Sequence, residues 1–266
     1  MQIKPLWAEN YRPMISTMQA KYRNISYKLF SIVFWFSLWH FGAKLLNGKL
    51  LFKIPLPIDT VKELLNCADD FLFWKAVGSS LIHIFSGFLI AVILGIVCGI
   101  LSGNSLFFKE LTSPIVRIIR SVPVAAVIIL AWLWVPSNAI PSFIAFLMVF
   151  PIVWLQVETG LLSIDKKLIE MAQVMGMSNK DITRNIKIPS LLPSLRHSCI
   201  QGLGFAWKSG VAAEVICNPT GSIGALLSNA KSNLEYSKVF ALVLTIIVLS
   251  LILENIIKFF WKEHRV

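Results

Sequence analysis

Charged residues are scarce in this chain. Asp, Glu, Lys and Arg make up 15% of its 266 residues, whereas hydrophobic residues make up 56% and the mean hydropathy is +0.72. Soluble domains carry about 25% charged residues, and disordered chains combine high charge with low hydrophobicity. The scarcity of charge therefore excludes both classes and leaves a polytopic membrane protein, for which we predict an all-α helix bundle.

Cysteine is equally sparse, and its four copies show no CxxC spacing. A disulfide-stapled secreted scaffold and a structural zinc site both need a denser pattern, so we expect no metal in this chain. Cys67 and Cys217 follow stretches that would end on the same outer face, so a disulfide between these two residues is kept as an alternative.

Catalytic patterns are also missing. The sequence has no paired carboxylates, histidine cluster or Ser/His/Asp arrangement, and we predict no catalytic residue. The segment 202–209 ends in Lys208-Ser209 like a phosphate-binding loop, but Trp207 occupies a position that such a loop fills with glycine. We therefore expect that this chain is not an enzyme and holds no ATP or other cofactor.

Long apolar runs dominate what is present. A membrane-spanning helix needs about 20 apolar residues, and six stretches meet that length: 29–47, 76–101, 114–135, 140–162, 197–217 and 239–261. We predict six transmembrane helices in one membrane domain over 29–266, preceded by a polar segment over 1–28. No small-residue cleavage site follows the first stretch, so it is predicted to be a retained anchor.

The basic residues predict the orientation. With the N-terminus inside, 17 of the 25 Lys and Arg residues fall in the cytoplasmic segments 1–28, 102–120, 163–196 and 258–266. Lys and Arg are enriched in cytoplasmic loops, so both termini are predicted to be cytoplasmic. The same enrichment explains the net charge of +11 without a nucleic-acid partner.

Small residues recur every fourth position in the second stretch. They are Gly87, Ala91, Gly95, Gly99 and Gly103. Such a face lets two helix backbones approach closely in lipid, which predicts helix packing and says nothing about a substrate. The outer connections are short, with one amphipathic helix expected around 58–65, so a scarce solute would need another chain to deliver it.

The connection 163–196 is patterned unlike a plain linker. Ser163 is placed to cap a helix over 164–175, and Gly176 is placed to end it in a left-handed conformation. Ser178 and Asp181 resemble a capping box for a second short helix, which Pro189 and Pro193 are expected to stop. The helix–turn–helix could lie on the membrane surface or fit a groove on a cytoplasmic partner.

A family resemblance favours the partner. The segment matches, at the same spacing, the EAA motif of ABC importer permeases, which runs Glu-Ala-Ala, three residues, Gly, nine residues, Ile-x-Leu-Pro. The matching positions are Glu170, Met171, Ala172, Gly176, Ile186, Ile188 and Pro189. Met171 and Ile188 depart from the motif, both as apolar replacements. The chain resembles most closely the branch that imports sulfonates, taurine, nitrate and some vitamin precursors.

The resemblance implies a set of partners. Permeases of this family form pairs, and here the expected second subunit is an identical copy. Each permease docks its EAA segment into one of two cytoplasmic ATPase subunits, which bind the ATP. A solute-binding protein outside the membrane delivers the cargo, and the assembly lies in the bacterial plasma (inner) membrane. We call residues 163–196 the coupling segment, with Met175 among its expected contacts.

Three charged residues are candidates for the translocation path: Lys208, Glu214 and Arg120. Lys208 lies half way along the fifth stretch, where a charge costs about 2.5–3.5 kcal/mol on insertion scales. It could face the path and favour an anion, or pair with Glu158 or Glu214 of another helix.

Rival classes remain at this stage. An ion-coupled secondary transporter would show an inverted repeat and helices broken near the midplane, neither of which is evident, although Pro123 and Pro151 could kink the third and fourth stretches. A membrane enzyme lacks convergent titratable groups, and the EAA pattern belongs to importers and not to exporters.

Overall fold

The computed structural model describes residues 7–47 and 53–260. Within these ranges every regular element is a helix. In chain order they are α1 (Trp7–Leu46), α2 (Pro57–Ala68), α3 (Phe71–Asn104), α4 (Leu106–Ser121), α5 (Val124–Ala131), α6 (Ile140–Leu162), α7 (Lys166–Val174), α8 (Asn179–Ile182), a π-helical turn (Thr183–Lys187), α9 (Ile188–Cys217), α10 (Ile223–Ser232) and α11 (Tyr236–Phe260). The predicted all-α class agrees with this architecture.

Contacts divide the chain into two units, residues 1–63 and 64–266. The first unit contains α1, a 40-residue helix whose portion Ser26–Leu46 is apolar enough to cross a membrane. Beyond α1 the Asn47 side chain donates to the carbonyl of Ile54 at 2.9 Å and accepts from its N–H at 2.6 Å. The amphipathic helix expected around 58–65 is present as α2. The predicted boundary after residue 28 lies within α1.

The closest helix packing in the second unit is between α3 and α6. A Cβ added at Gly95 would lie 2.8 Å from the Cβ of Val153, and one at Gly99 would meet Val157. Ala91 is fully buried in the same seam. The predicted small-residue face is therefore confirmed, because these positions leave no room for a side chain between the two helices.

The third predicted span, 114–135, is not one continuous helix. It is divided into α4 and α5, which are bent by 102° at the break between them. Pro123 has no N–H and its ring disfavours a helical conformation at the preceding residue, so α4 ends before Val122. Pro151, in contrast, lies inside an unbroken α6.

Four described helices are long and apolar enough to span a membrane, or five if the bent pair α4–α5 counts as one span. The fifth predicted span is part of α9, a 30-residue helix that also contains Arg196, Lys208 and Glu214 and is correspondingly less apolar. The count of six spans and the cytoplasmic placement of both termini therefore stay predictions.

Two apolar clusters form the interior of the second unit. The larger joins α3, α6, α9 and α11 around Trp207, whose indole N–H donates to the carbonyl of Ile246 at 3.0 Å. The smaller joins α5, α6 and the end of α9. Cys67 belongs to the first cluster and Cys217 to the second, so the disulfide considered from the sequence is not formed.

Candidate functional site

Gly176 ends α7 as the sequence predicts. Its φ is +82°, a region that is costly for residues with a Cβ. The N–H of Gly176 donates to the carbonyl of Gln173 and that of Met177 to the carbonyl of Ala172, both at 3.0 Å. This pair of bonds is a Schellman motif, which turns the chain sharply at Gly176. We call the end of α7, over 171–176, the tip of the coupling segment.

The start of α7 differs from the prediction. Asp165, and not Ser163, caps the helix, since its carboxylate accepts from the N–H of Lys167 at 2.9 Å. Ser163 ends α6 instead, and its hydroxyl donates to the carbonyl of Gly160 at 2.8 Å. Both residue types cap helices well; the length of α6 decides between them, because it extends to Leu162.

Ser178 caps α8 as predicted. Its hydroxyl accepts from the N–H of Asp181 at 3.2 Å and donates to the Asp181 carboxylate at 2.6 Å. The expected stop at Pro189 and Pro193 is wrong. Pro189 lies in the first turn of α9, where a missing N–H costs little, and Pro193 lies inside the helix. The π-helical turn joins α8 to α9 without a loop.

The coupling segment buries few of its apolar side chains. Ala172 of α7 and Ile182 of α8 are buried, at 3% and 2% exposure. Met171, Val174 and Met175 are 55%, 88% and 75% exposed. Glu170 and Pro189 are exposed as well, and Ile186 is half-buried. The predicted docking residues therefore lie on an accessible surface, apart from Ala172, which is internal.

Lys208 lies on the exposed stripe of α9. Gln201, Phe205 and Lys208 are exposed, whereas nearly all other residues over 202–214 are buried. Successive members of the stripe are four and three residues apart, which places them on one helix face. No ion pair among the described residues includes Lys208.

The two carboxylates considered as partners of Lys208 are engaged elsewhere. Glu158 of α6 forms an ion pair of 3.0 Å with Lys109 of α4. Glu214 is fully buried; its Oε2 accepts from the Ser80 hydroxyl at 2.8 Å and from the Gly224 N–H at 3.0 Å. Within this chain the structure therefore gives Lys208 neither carboxylate.

Glu214 is the centre of a buried polar junction and not a surface residue. The Ser80 hydroxyl, which donates to Glu214, accepts from the N–H of Ile223 at 2.9 Å. Glu214 of α9 and Ser80 of α3 thus hold the first turn of α10, where free N–H groups favour a carboxylate. These hydrogen bonds place Glu214 in the junction, and its place along the path stays a prediction.

Arg120 is exposed at the end of α4, next to the bend at Pro123. It lines a cavity of about 210 Å³ together with Lys109, Arg117 and Glu158. Arg120 and Lys208 therefore both stand on accessible faces, on different helices.

Two interactions of this region were missed from the sequence. The ion pair Lys109–Glu158 joins residues 49 positions apart, and no local pattern connects them. Ser80 gave a weak indication of a buried polar contact, because it places a hydroxyl inside an apolar run. A serine in such a run, however, often forms hydrogen bonds only within its own helix.

The chain has clear relatives. A sequence model of the family described as the binding-protein-dependent transport system inner membrane component matches residues 91–263. That match covers well over half of the sequence and includes the coupling segment, α9 and the whole of α11. The chain belongs to this family, the inner membrane permeases of ABC importers.

Individual relatives support the predicted branch. A probable ABC transporter permease protein of Brucella melitensis is 28% identical over 82% of this chain and 88% of its own length. The taurine transport system permease protein TauC of Escherichia coli is 28% identical over 76% and 75%. The nitrate import permease protein NrtB of Leptolyngbya laminosa is 27% identical over 72% and 68%. These relatives are permeases and not enzymes.

Solved structures share the fold. A chain of the MetNI methionine ABC transporter is 21% identical with a TM-score of 0.57, covering 71% of this chain and 92% of that one. A chain of a bacterial ABC transporter involved in the import of the acidic polysaccharide alginate is 14% identical with a TM-score of 0.60, covering 96% of this chain and 100% of that one.

The match to the family of ABC importer permeases decides against the ion-coupled secondary transporter.

Proposed function

We propose that this chain forms one half of the translocation path of a small-anion importer. A second copy of the chain forms the other half. Two separate ATPase subunits bind ATP on the cytoplasmic side, and an extracytoplasmic binding protein delivers the solute. In this assembly the chain crosses the bacterial inner membrane six times with both termini in the cytoplasm. Relatives named for taurine and nitrate transport support a sulfonate or a similar small anion as cargo, although a vitamin precursor also suits this branch.

The observation that carries the proposal is the accessible tip of the coupling segment. A short helix that ends abruptly at Gly176 and exposes Met171, Val174 and Met175 is suited to insertion into a groove on a partner, where apolar anchors supply most of the affinity. Glu170 adds an exposed charge beside these anchors. Lys208 and Arg120 contribute positive charge along the path and attract an anion.

The first test is recovery of the partners. The chain is solubilised in mild detergent from its native membrane, and the co-purifying proteins are identified by mass spectrometry. An ATPase subunit is the expected companion. A chain recovered alone under conditions that keep other membrane complexes intact contradicts the proposal.

Charge reversal then tests the docking surface. Glu170→Arg is expected to lower ATPase recovery and ATP-driven uptake at least tenfold while the permease stays folded, because the changed charge lies at the predicted interface. Glu110→Arg is the matched control, an exposed Glu on α4 outside the coupling segment. Normal uptake by Glu170→Arg, or equal loss in both variants, counts against docking at this surface. Gly176→Pro is a second, more severe variant, since proline cannot adopt a positive φ.

A further inference from the structure

Arg120 lines two cavities whose other lining residues differ in type. The first, of about 210 Å³, has Lys109, Arg117 and Arg120 in its wall, with the hydroxyls of Thr112 and Ser113. The second, of about 240 Å³, lies at the bend between α4 and α5 and is lined mainly by apolar side chains. They include Val124, Leu147, Met148, Ile152 and Phe205. A cavity with several charged and hydroxyl side chains in its wall and a cavity with mainly apolar side chains thus share one arginine.

The first cavity is suited to an anion. Its wall carries three basic residues against a single carboxylate, Glu158, and that carboxylate is held by Lys109 at 3.0 Å. Arg117 and Arg120 take part in no ion pair among the described residues. Guanidinium groups bind sulfonate-like, carboxylate and phosphate oxygens with two parallel hydrogen bonds, so two arginines are available for an oxyanion.

The second cavity is suited to a hydrocarbon body. Proline at position 123 bends the chain and leaves the space between α5, α6 and α9 open. Phe205, half exposed at 44%, forms its α9 wall. Phe205 also belongs to the exposed stripe of α9, one turn before Lys208. The apolar cavity therefore adjoins the face that we propose for the path.

We infer that the two cavities form one binding site for an amphipathic organic anion that moves along the translocation path. The oxyanion lies against Arg117 and Arg120, and an alkyl or aryl body lies against Met148 and Phe205. The site takes sulfonates or carboxylates that carry a hydrocarbon part and disfavours small inorganic anions, which leave the apolar cavity empty. This inference rests on the proposed importer function and specifies its cargo.

The test measures direct binding to the chain. The protein, with whatever subunits co-purify, is placed in phosphatidylcholine nanodiscs without the binding protein, and equilibrium binding of radiolabelled ethanesulfonate, butanesulfonate, hexanesulfonate and sulfate is compared. Burial of one methylene strengthens binding up to roughly fourfold. We expect the affinity to increase from ethanesulfonate to hexanesulfonate at least tenfold, with sulfate the weakest. Equal affinity for all four probes overturns the inference.

Three variants assign the two halves of the site. Arg120→Gln is expected to weaken the binding of every sulfonate about tenfold or more. Phe205→Ala is expected to weaken hexanesulfonate binding much more than ethanesulfonate binding, and so to abolish most of the gain with chain length. Lys231→Gln, which removes an exposed charge on α10, is the matched control and is expected to bind as the unaltered protein does. Binding that is insensitive to Arg120 and Phe205 contradicts the site.

An anionic phospholipid shares the chemistry of the proposed cargo, and a second arm separates the two. The measurement is repeated with phosphatidylglycerol in the nanodiscs. Hexanesulfonate binding that persists, together with stimulation of the ATPase of the complex by hexanesulfonate, supports a cargo site. Displacement of the probe by phosphatidylglycerol without any effect of sulfonates on the ATPase identifies a lipid site and overturns the inference. Failure to recover an ATPase would instead contradict the proposed function, since probe binding needs only this chain.

Discussion

The coupling segment is held by hydrogen bonds between near neighbours, such as that from Met177 to Ala172, whereas the α3–α6 seam joins residues more than fifty positions apart. In the seam the Ser142 hydroxyl donates to the carbonyl of His83 at 2.7 Å, and the Trp154 indole donates to the Ser102 hydroxyl at 2.8 Å. The first region leaves apolar side chains exposed, and the second buries polar ones. A region that is ordered locally can therefore leave its outer side chains exposed, whereas the seam is ordered by burying side chains between α3 and α6.

The largest effect is expected where the seam is tightest. A Cβ at Gly87 would overlap the carbonyl of Ser142, so Gly87→Val should destabilise the protein by about 3 kcal/mol or more, at the upper end of overpacking costs. Thermal unfolding in detergent measures the change. Gly78→Val on the same helix is the control, because nothing lies within 4 Å of its Cβ. Similar stability of the two variants would contradict close packing of α3 on α6.

The next largest effect concerns the buried junction at Glu214. Glu214→Ala leaves the Ser80 hydroxyl and the Gly224 N–H without their acceptor inside the protein, which costs about 2–4 kcal/mol. Glu214→Gln keeps an acceptor oxygen and is expected to cost less than half as much. Hydrogen exchange of the amides over 222–225 reports the junction directly. Exchange that is equally fast in both variants would rule out a role for the oxygen that Gln retains.

In the coupling segment the effects are smaller and local. Gly176→Ala places a Cβ at φ +82° and is expected to cost about 1 kcal/mol. The cost should appear as faster exchange in α7 and α8, with little change in the unfolding temperature of the bundle. Gly78→Ala is the control. A large drop in the unfolding temperature would show that the coupling segment is not ordered independently of the seam.

The smallest effect distinguishes two neighbouring caps. Asp165→Ala removes the acceptor of the Lys167 N–H and should destabilise α7 by about 1 kcal/mol. Ser163→Ala removes a hydroxyl that bonds only within α6 and should leave α7 unchanged. Exchange at the first amides of α7 measures both. The reverse order would restore Ser163 as the cap that its sequence position suggests.

Prediction from the sequence succeeded where the determinants are local or periodic. Gly176 and Ser178 follow rules that involve four or five consecutive residues, and the small residues of α3 repeat with the helix period. It failed where two local rules competed. Ser163 and Asp165 are both good caps, and Pro189 both ends some helices and begins others; only the lengths of α6 and α9 decide between these outcomes.

The interactions of Glu214 and Glu158 could not be predicted, because a carboxylate carries no local sign of its partner. Ser80 and Lys109 lie 134 and 49 positions from those carboxylates. The bend at Pro123 was partly foreseen, since proline weakens a helix, but a 102° turn depends on the space that α6 and α9 leave at that point. The cavity that Arg120 lines at this bend therefore could not be predicted either.

The π-helical turn over Thr183–Lys187 joins α8 to α9 with no intervening loop. Asn179 and Lys208 therefore belong to one continuous helical segment, whereas the tip at Gly176 is connected to that segment by the turn over 175–178. At 1.5 Å per residue, Lys208 lies about 30 Å along the helix from Ile188. A displacement imposed on α8 is carried along this axis to Lys208, because no loop lies between them.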